Sequence, residues 1–164
     1  LMTDGGMNIA PDVPAKLAII ENAVQVARSL GIRKPKVALV AAVEKVNYQA
    51  MPCTVDAAIL TKMAERGQIQ SCIIDGPLAL DNAISRKSCE IKGIKSAVAG
   101  DADIIVMPNI ESGNVFYKAL NYLSECKTAG IVVGAKAPIV VTSRADDEEN
   151  KFYSVAFAMQ ASNI

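Results

Sequence analysis

The chain has 164 residues, and its 17 lysines and arginines balance its 17 aspartates and glutamates. Apolar residues make up 51% of it, whereas aromatic residues make up only 4% and tryptophan is absent. This composition predicts one compact cytoplasmic domain that binds neither nucleic acid nor membranes, because it lacks a basic patch and any apolar run near the ~20 residues of a membrane helix.

The first half of the chain alternates between strand and helix patterns. Residues 2–3 end a short strand, and apolar residues at helical spacing follow across 11–31, where Pro14 and Gly31 mark the two ends. The unbroken apolar run at 36–43 predicts a buried strand. A helix capped by Thr54 and ending near Gly67 comes next, followed by a strand at 71–75.

The same alternation continues to the end of the chain. Asp75-Gly76-Pro77 is a turn signature that should end the preceding strand. The remaining predicted elements are a helix at 80–90, a strand at 103–107, a helix at 112–125, strands at 130–133 and 139–141, and a helix from about Asp147. This order predicts an α/β fold with a largely parallel sheet flanked by helices.

The residue types restrict the possible chemistry. There is no histidine, and the four cysteines form no C-x-x-C pair, so a zinc site is improbable and an imidazole triad is excluded. Neither a dinucleotide G-x-G-x-x-G nor a Walker motif is present. Four aspartates could suggest magnesium, but aspartate at strand ends and helix starts is ordinary turn and cap chemistry, so no metal site is expected. These aspartates are Asp75, Asp81, Asp101 and Asp103.

Ligands of such sheets bind beyond the carboxyl ends of the strands, so the loops at 3–8, 75–77, 108–114 and 142–147 are the candidate site. In the third loop, Gly113 permits close approach, and the helix-start amides with Asn114 could donate to an anion. Capping by Ser112 and Asn114 is an equally good interpretation. The acidic run 146–149 suits the start of a helix.

Five stretches in order resemble the phosphate acetyltransferase and phosphate butyryltransferase family, with details closest to the butyryl branch. They are DGGMNIAPD, VDAAILTKMAERGQI, IIDGPLALDNAIS, SAVAGDADIIVMPNIESGNVFYK and AGIVVGAKAPIVVTSRADDEEN. The resemblance implies the phosphate acyltransferase fold, which is similar in architecture to the isocitrate dehydrogenases. It also implies reversible transfer of a short, butyryl-like acyl group between coenzyme A and phosphate.

Members of this family are about twice as long, have two domains around a cleft and usually form homo-oligomers. The resemblance therefore implies that residues 1–135 are the second α/β domain and that residues 136–164 would pack with an N-terminal domain. Acyl-CoA and phosphate are expected as substrates, and no permanently bound cofactor is expected. We expect the 164-residue piece alone to be folded but weakly active or inactive.

The resemblance also assigns site residues. Ser143 matches a donor to the thioester or its sulfur, and Arg144 matches an anion clamp. In the acetyl branch an aspartate seven residues beyond the serine is the proposed base, but here that position is Asn150. Asp147 and Glu149 are neighbouring candidates, with Glu149 nearer in register, and a substrate phosphate could serve instead. The expected substrate contacts are Gly113, Asn114 and Lys118 of the G-N-x-x-Y-K motif, together with Asp75. No role is transferred to Lys136, which is one residue out of register.

Two alternatives remain open from the sequence. A non-catalytic domain that binds CoA or a nucleotide, or that serves in assembly, would keep the fold without the chemistry, and Asn150 in the base position supports it. An oxidoreductase would follow from the isocitrate dehydrogenase-like architecture, but fold alone is a poor guide to function and no nicotinamide motif is present.

Overall fold

The computed structural model describes residues 1–124, 126–143 and 146–162. Its centre is a four-stranded sheet in the order β1-β4-β2-β3, and every neighbouring pair is parallel. The strands are β1 (Met2–Thr3), β2 (Lys36–Val40), β3 (Ile73–Leu78) and β4 (Ile104–Val106). The predicted α/β class with a parallel sheet is therefore confirmed.

Helices cover both faces of this sheet. They are α1 (Val13–Ser29), α2 (Pro52–Glu65), α3 (Leu80–Ile84), α4 (Arg86–Lys92), α5 (Ile110–Leu123) and α6 (Glu148–Ala161). Along β2, Val37 and Leu39 enter one apolar cluster with α1 and α2, whereas Ala38 and Val40 enter a second one on the opposite face. Side chains alternate along a strand, so burial on both faces explains why β2 is an unbroken apolar run.

Two helix starts differ from their predictions. Helix α5 begins after Asn109, whose side chain accepts a hydrogen bond from the Ser112 amide at 3.0 Å, so the predicted capping by Ser112 and Asn114 is wrong. Gly113 consequently lies inside the first turn. Helix α2 begins at Pro52 rather than at a Thr54 cap, and the Thr54 hydroxyl donates to the Met51 carbonyl at 2.7 Å.

The predicted turn at Asp75-Gly76-Pro77 is wrong, because β3 runs through these residues to Leu78. The pairing of β2 with β3 becomes irregular here, since Ala38 pairs with Asp75 whereas Val40 pairs with Leu78. The two strands lie so close that a Cβ on Gly76 would be 2.7 Å from the Leu39 Cβ. Glycine therefore fits this position because it leaves room for the neighbouring strand.

The predicted helix at 80–90 is two helices, because Ser85 ends α3 and accepts from the Ser88 amide to begin α4. The predicted strands at 130–133 and 139–141 do not form. They make only one antiparallel bridge, in which Val132 and Ile139 exchange two hydrogen bonds of 2.8 Å. An apolar run favours a strand but also needs a partner edge, and within the described residues these two runs pair only with each other.

The last helix of the described residues lies against the first. Helix α6 contacts α1, and the Gln160 side chain donates to the Ser29 carbonyl at 2.9 Å. The separate domain role of residues 136–164 stays a prediction. Among the helices of the described part, none has both the length and the apolar character needed to cross a membrane.

Candidate active site

A cavity of about 300 Å³ lies beside the carboxyl end of β1. Its walls come from the loop at 4–8, from α1 and α5, and from the segments around 131–133 and 141. Its polar side chains include Asp4, Asn8, Asn22 and Tyr117. A concave site with a few convergent polar groups at the carboxyl ends of parallel strands is where α/β proteins bind ligands.

Asp4 organises the loop at 4–8. Its carboxylate accepts hydrogen bonds from the amides of Gly6, Met7 and Asn8 at 2.8–2.9 Å and from the Asn8 side chain at 2.6 Å. Burial by itself would raise the pKa of the Asp4 carboxyl, but these hydrogen bonds outweigh it and lower the pKa below its ordinary value. The carboxylate therefore holds the cavity wall in one conformation.

Gly113 and Asn114 fix this loop against α5. A Cβ on Gly113 would be 2.8 Å from the Gly5 Cα and closer still to the Asp4 carbonyl oxygen. The Asn114 side-chain nitrogen donates to the Gly5 carbonyl at 3.2 Å. These two predicted substrate contacts thus touch the loop that lines the cavity, and they shape the site through its backbone.

Ser143 is linked through Asp146 to Tyr117, which lines the cavity. Its amide donates to one Asp146 carboxylate oxygen at 2.7 Å, and its carbonyl accepts from the Asp146 amide at 3.1 Å. The Tyr117 hydroxyl donates to the other Asp146 oxygen at 3.2 Å. Helix α5 therefore contacts both the loop at 4–8 and Asp146, which binds the Ser143 backbone. Arg144, the predicted anion clamp, lies outside the described residues.

Glu149, the predicted carboxylate base, is exposed on α6 and already has two partners. It pairs with Lys127 and accepts from the Tyr153 hydroxyl at 2.7 Å. Lys127 first and Tyr153 second lower the pKa of the Glu149 carboxyl below its ordinary value. A carboxylate stabilised in its charged form is a weaker base, so this arrangement favours an ion-pairing role.

Asn150 is buried and tied to the preceding segment. Its side-chain oxygen accepts from the Thr128 amide at 3.1 Å, and its own amide donates to the Asp147 side chain at 2.7 Å. One turn later, the Ser154 hydroxyl accepts from the Gly130 amide at 3.0 Å. In this structure Asn150 therefore anchors α6 to the 128–130 segment.

The structure does not bring the other two predicted substrate contacts into the cavity wall. Asp75 lies within β3, three strand spacings or about 14 Å from β1 across the sheet, and its carboxylate accepts from the Gly76 amide at 2.8 Å. The Lys118 ammonium lies 4.9 Å from the centre of the Tyr117 ring. Lys118 is thus near the site, whereas Asp75 is on the opposite edge strand.

The aspartates that could suggest magnesium are engaged elsewhere. Asp101 pairs with Lys36 and Arg86, Asp81 pairs with Lys92, and Asp103 accepts from the Lys36 amide. In residues 1–124, 126–143 and 146–162, no group of three or more histidine, cysteine, aspartate and glutamate residues could hold a metal ion. These aspartates therefore stabilise connections around the sheet.

Tyr117 lines the cavity and Asp146 contacts this tyrosine, and the sequence predicted neither as a site residue. Tyr117 lines the cavity and also an adjoining one of about 290 Å³, whose walls are mostly apolar and include Leu120 and Phe157. The Tyr in the G-N-x-x-Y-K motif was a usable signal, because it follows Gly113 by about one helical turn. The contact of Tyr117 with Asp146 gave no signal, because 29 residues separate the two in the chain.

Comparison with known proteins identifies the family. The family model described as "Phosphate acetyl/butaryl transferase" matches residues 1–159. A phosphate acetyltransferase of Thermotoga maritima is 51% identical over 96% of this chain and 53% of its own length. A phosphate butyryltransferase of Clostridium acetobutylicum is 52% identical over 96% of this chain and 52% of its own length.

Solved structures give the same result. A branched-chain phosphotransacylase from Enterococcus faecalis V583 is 42% identical with a TM-score of 0.90, over 98% of this chain and 57% of that one. A phosphotransacetylase from Staphylococcus aureus is 27% identical with a TM-score of 0.79, over 99% of this chain and 50% of that one. The chain thus spans about half the length of the relatives it matches. It belongs to the phosphate acetyl/butyryl transferase family.

Proposed function

We propose that the protein containing this chain transfers a short acyl group between coenzyme A and inorganic phosphate. The observation that carries this proposal is identity of about 50% to proteins named for that transfer, along nearly the whole chain. Physical support comes from the loop at 4–8 and Tyr117, which line one cavity and come from stretches that resemble the family, and from the hydrogen bond of Tyr117 to Asp146, which binds the Ser143 amide.

The reaction needs few protein groups. A phosphate oxygen attacks the thioester carbonyl carbon, the carbon–sulfur bond breaks, and an acyl phosphate and a thiolate form. The Ser143 hydroxyl would donate to the developing oxyanion or to the sulfur, and the planar Arg144 guanidinium would pair with the phosphate. Hydrogen bonds to charge that develops in the transition state are worth about 10²–10³ in rate.

The proton balance does not require a strong base. The attacking hydrogen phosphate loses one proton and the leaving thiolate gains one, so the substrate phosphate can supply the proton for the thiol. This route agrees with Asn150 at the position of the acetyl-branch aspartate and with the ion pair of Glu149. The catalytic role predicted for Glu149 and the substrate contact predicted for Asp75 stay predictions.

A butyryl-like acyl group is the finer part of the proposal. The mostly apolar cavity of about 290 Å³ adjoins the cavity beside β1 and shares Tyr117 with it, so a chain longer than acetyl has room there. One methylene in an apolar pocket changes specificity by roughly 10- to 200-fold. Turnover should therefore rise from acetyl-CoA to butyryl-CoA, and a flat or falling series would contradict this choice.

The proposal also covers the oligomeric state of the protein and its location in the cell. We expect a homo-oligomer in the cytoplasm that uses acyl-CoA and phosphate without a permanently bound cofactor. Large apolar side chains exposed on α5 and α6 support association, because such residues commonly mark contact surfaces. They include Val115, Leu123, Phe152 and Met159. Light scattering would measure the mass, and a monomer at micromolar concentration would contradict the expected assembly.

Substitution at the Ser143–Arg144 pair tests the proposal. In the full-length protein that contains this chain, Ser143→Ala and Arg144→Ala should each lower phosphate-dependent thiol release from butyryl-CoA by orders of magnitude. Ser162→Ala and Arg66→Ala, which change exposed residues away from the cavity, are the matched controls. The alternative is a non-catalytic binding or assembly domain, favoured by the buried structural role of Asn150, and it predicts no turnover in any variant.

A further inference from the structure

Tyr117 connects two parts of the site that the chain supplies from distant positions. It lies on α5, about one turn beyond Gly113, whose backbone packs on the loop at 4–8. Its side chain lines both cavities, and its hydroxyl donates to an Asp146 carboxylate oxygen at 3.2 Å. The helix therefore contacts Asp146 through this phenol.

Asp146 in turn forms hydrogen bonds with the backbone of Ser143. The second carboxylate oxygen of Asp146 accepts from the Ser143 amide at 2.7 Å, and the Asp146 amide donates to the Ser143 carbonyl at 3.1 Å. Both backbone polar groups of Ser143 are thus held by one residue. The orientation of that residue depends in turn on a hydrogen bond from α5.

We propose that Tyr117 and Asp146 are positioning residues for Ser143. This inference rests on the proposed acyl transfer, in which the Ser143 hydroxyl contacts the reacting thioester. Tyr117 holds the Asp146 carboxylate, and that carboxylate fixes the Ser143 backbone relative to α5 and the loop at 4–8. Neither Tyr117 nor Asp146 needs to contact the reacting atoms for this role.

Loss of the hydrogen bond between Tyr117 and Asp146 should change the position of Ser143 more than the stability of the fold. Tyr117 and Asp146 are both partly exposed, so water can take the place of the phenol hydroxyl when it is removed. The ring of the Tyr117→Phe variant would keep the apolar contacts of the tyrosine. What this variant loses is the direction of the Asp146 carboxylate, and misplacement of a reacting group by 1 Å costs about 10² in rate.

The test compares Tyr117→Phe with Tyr122→Phe in the full-length protein. Tyr122 lies on the same helix but is exposed, so its substitution controls for loss of a phenol from α5. Tyr117→Phe should lower kcat for butyryl-CoA by roughly 10- to 100-fold, with little change in KM and in melting temperature. Tyr122→Phe should leave all three quantities as in the unmodified protein.

Combining Tyr117→Phe with Ser143→Ala shows whether the loss of kcat depends on Ser143. If Tyr117 acts by positioning Ser143, Tyr117→Phe should cause no further loss in a Ser143→Ala protein, because residues that act as a unit are non-additive. A purely structural role would lower kcat by the same factor in both backgrounds and would lower the melting temperature. That result, or an unchanged kcat of Tyr117→Phe, would overturn the inference.

A spectroscopic measurement separates this inference from the proposed function. Absence of acyl transfer in the unmodified protein would refute the proposed function, whatever Tyr117 does. The amide resonance of Ser143 reports the positioning contact directly by NMR. A shift of this resonance in Tyr117→Phe but not in Tyr122→Phe supports the contact, whereas identical spectra at Ser143 overturn it.

Discussion

Replacing Gly113 with alanine should separate α5 from the loop that packs on it. A Cβ at this position would lie 2.8 Å from the Gly5 Cα and closer to the Asp4 carbonyl oxygen. Both neighbours are backbone atoms of a loop held by the Asp4 carboxylate, so neither can swing away as a flexible side chain would. The loop as a whole must move.

Two opposing effects set the size of the change in stability. Glycine to alanine inside a helix ordinarily stabilises by about 0.5–1 kcal/mol. Overpacking a close backbone contact costs typically about 1–3 kcal/mol, so the two effects together should lower the free energy of unfolding of Gly113→Ala by roughly 1 kcal/mol. Because the displaced loop lines the cavity, acyl transfer should fall by about 10².

Urea denaturation and the thiol-release assay measure these two effects in one preparation. Glu111→Ala, an exposed substitution in the same helical turn, is the control and should retain the activity of the unmodified protein. If Gly113→Ala gains stability, as a helix interior normally would, and keeps full activity, then the close contact between Gly113 and the loop is refuted.

Three further predictions concern the carboxylates and α6. Because hydrogen bonds lower the pKa of Asp4 below its ordinary 3.8, its stabilising effect is present above about pH 4 and is lost as the pH falls through the lowered pKa. Urea denaturation should accordingly find Asp4→Asn less stable than the unmodified protein at pH 7, with a smaller difference near pH 3, and a constant difference would contradict this. Asn150→Ala should lower the free energy of unfolding by about 1–3 kcal/mol, because the Thr128 amide loses its partner, and an unchanged urea midpoint would count against that anchoring. Glu149→Gln should lower kcat by far less than the 10²–10⁴ typical of a general base, and a loss of that size would restore Glu149 as the base.

The elements that the sequence predicted well are those with local signals. Helix α1 was found because Pro14 and Gly31 mark its two ends and apolar residues recur at helical spacing between them, and the structure adds a cap by Asp12. The strands at 130–133 and 139–141 were predicted wrongly because pairing depends on a partner edge, which composition does not encode. The path of β3 through Gly76 depends on the close approach of Leu39, a contact that is also non-local.

In the site, too, residues with a local sequence signal were predicted and contacts between distant residues were not. The resemblance led to Gly113, Asn114 and Ser143, and the structure places the first two against the loop that follows β1 and joins the Ser143 backbone to Tyr117 through Asp146. The resemblance could not show that Gly113 and Asn114 contact the loop at 4–8, because that contact joins residues about 109 positions apart. The hydrogen bond from Tyr117 to Asp146 could not be predicted either, because these two residues are also far apart in the chain.

Product identification with the full-length protein tests the proposed acyl transfer most directly. Butyryl-CoA and inorganic phosphate are incubated with the protein, thiol release is followed, and phosphorus NMR identifies the phosphorylated product. Acyl transfer predicts that thiol release requires phosphate and yields an equal amount of butyryl phosphate. Thiol release that continues without phosphate, or the absence of any acyl phosphate, would contradict it.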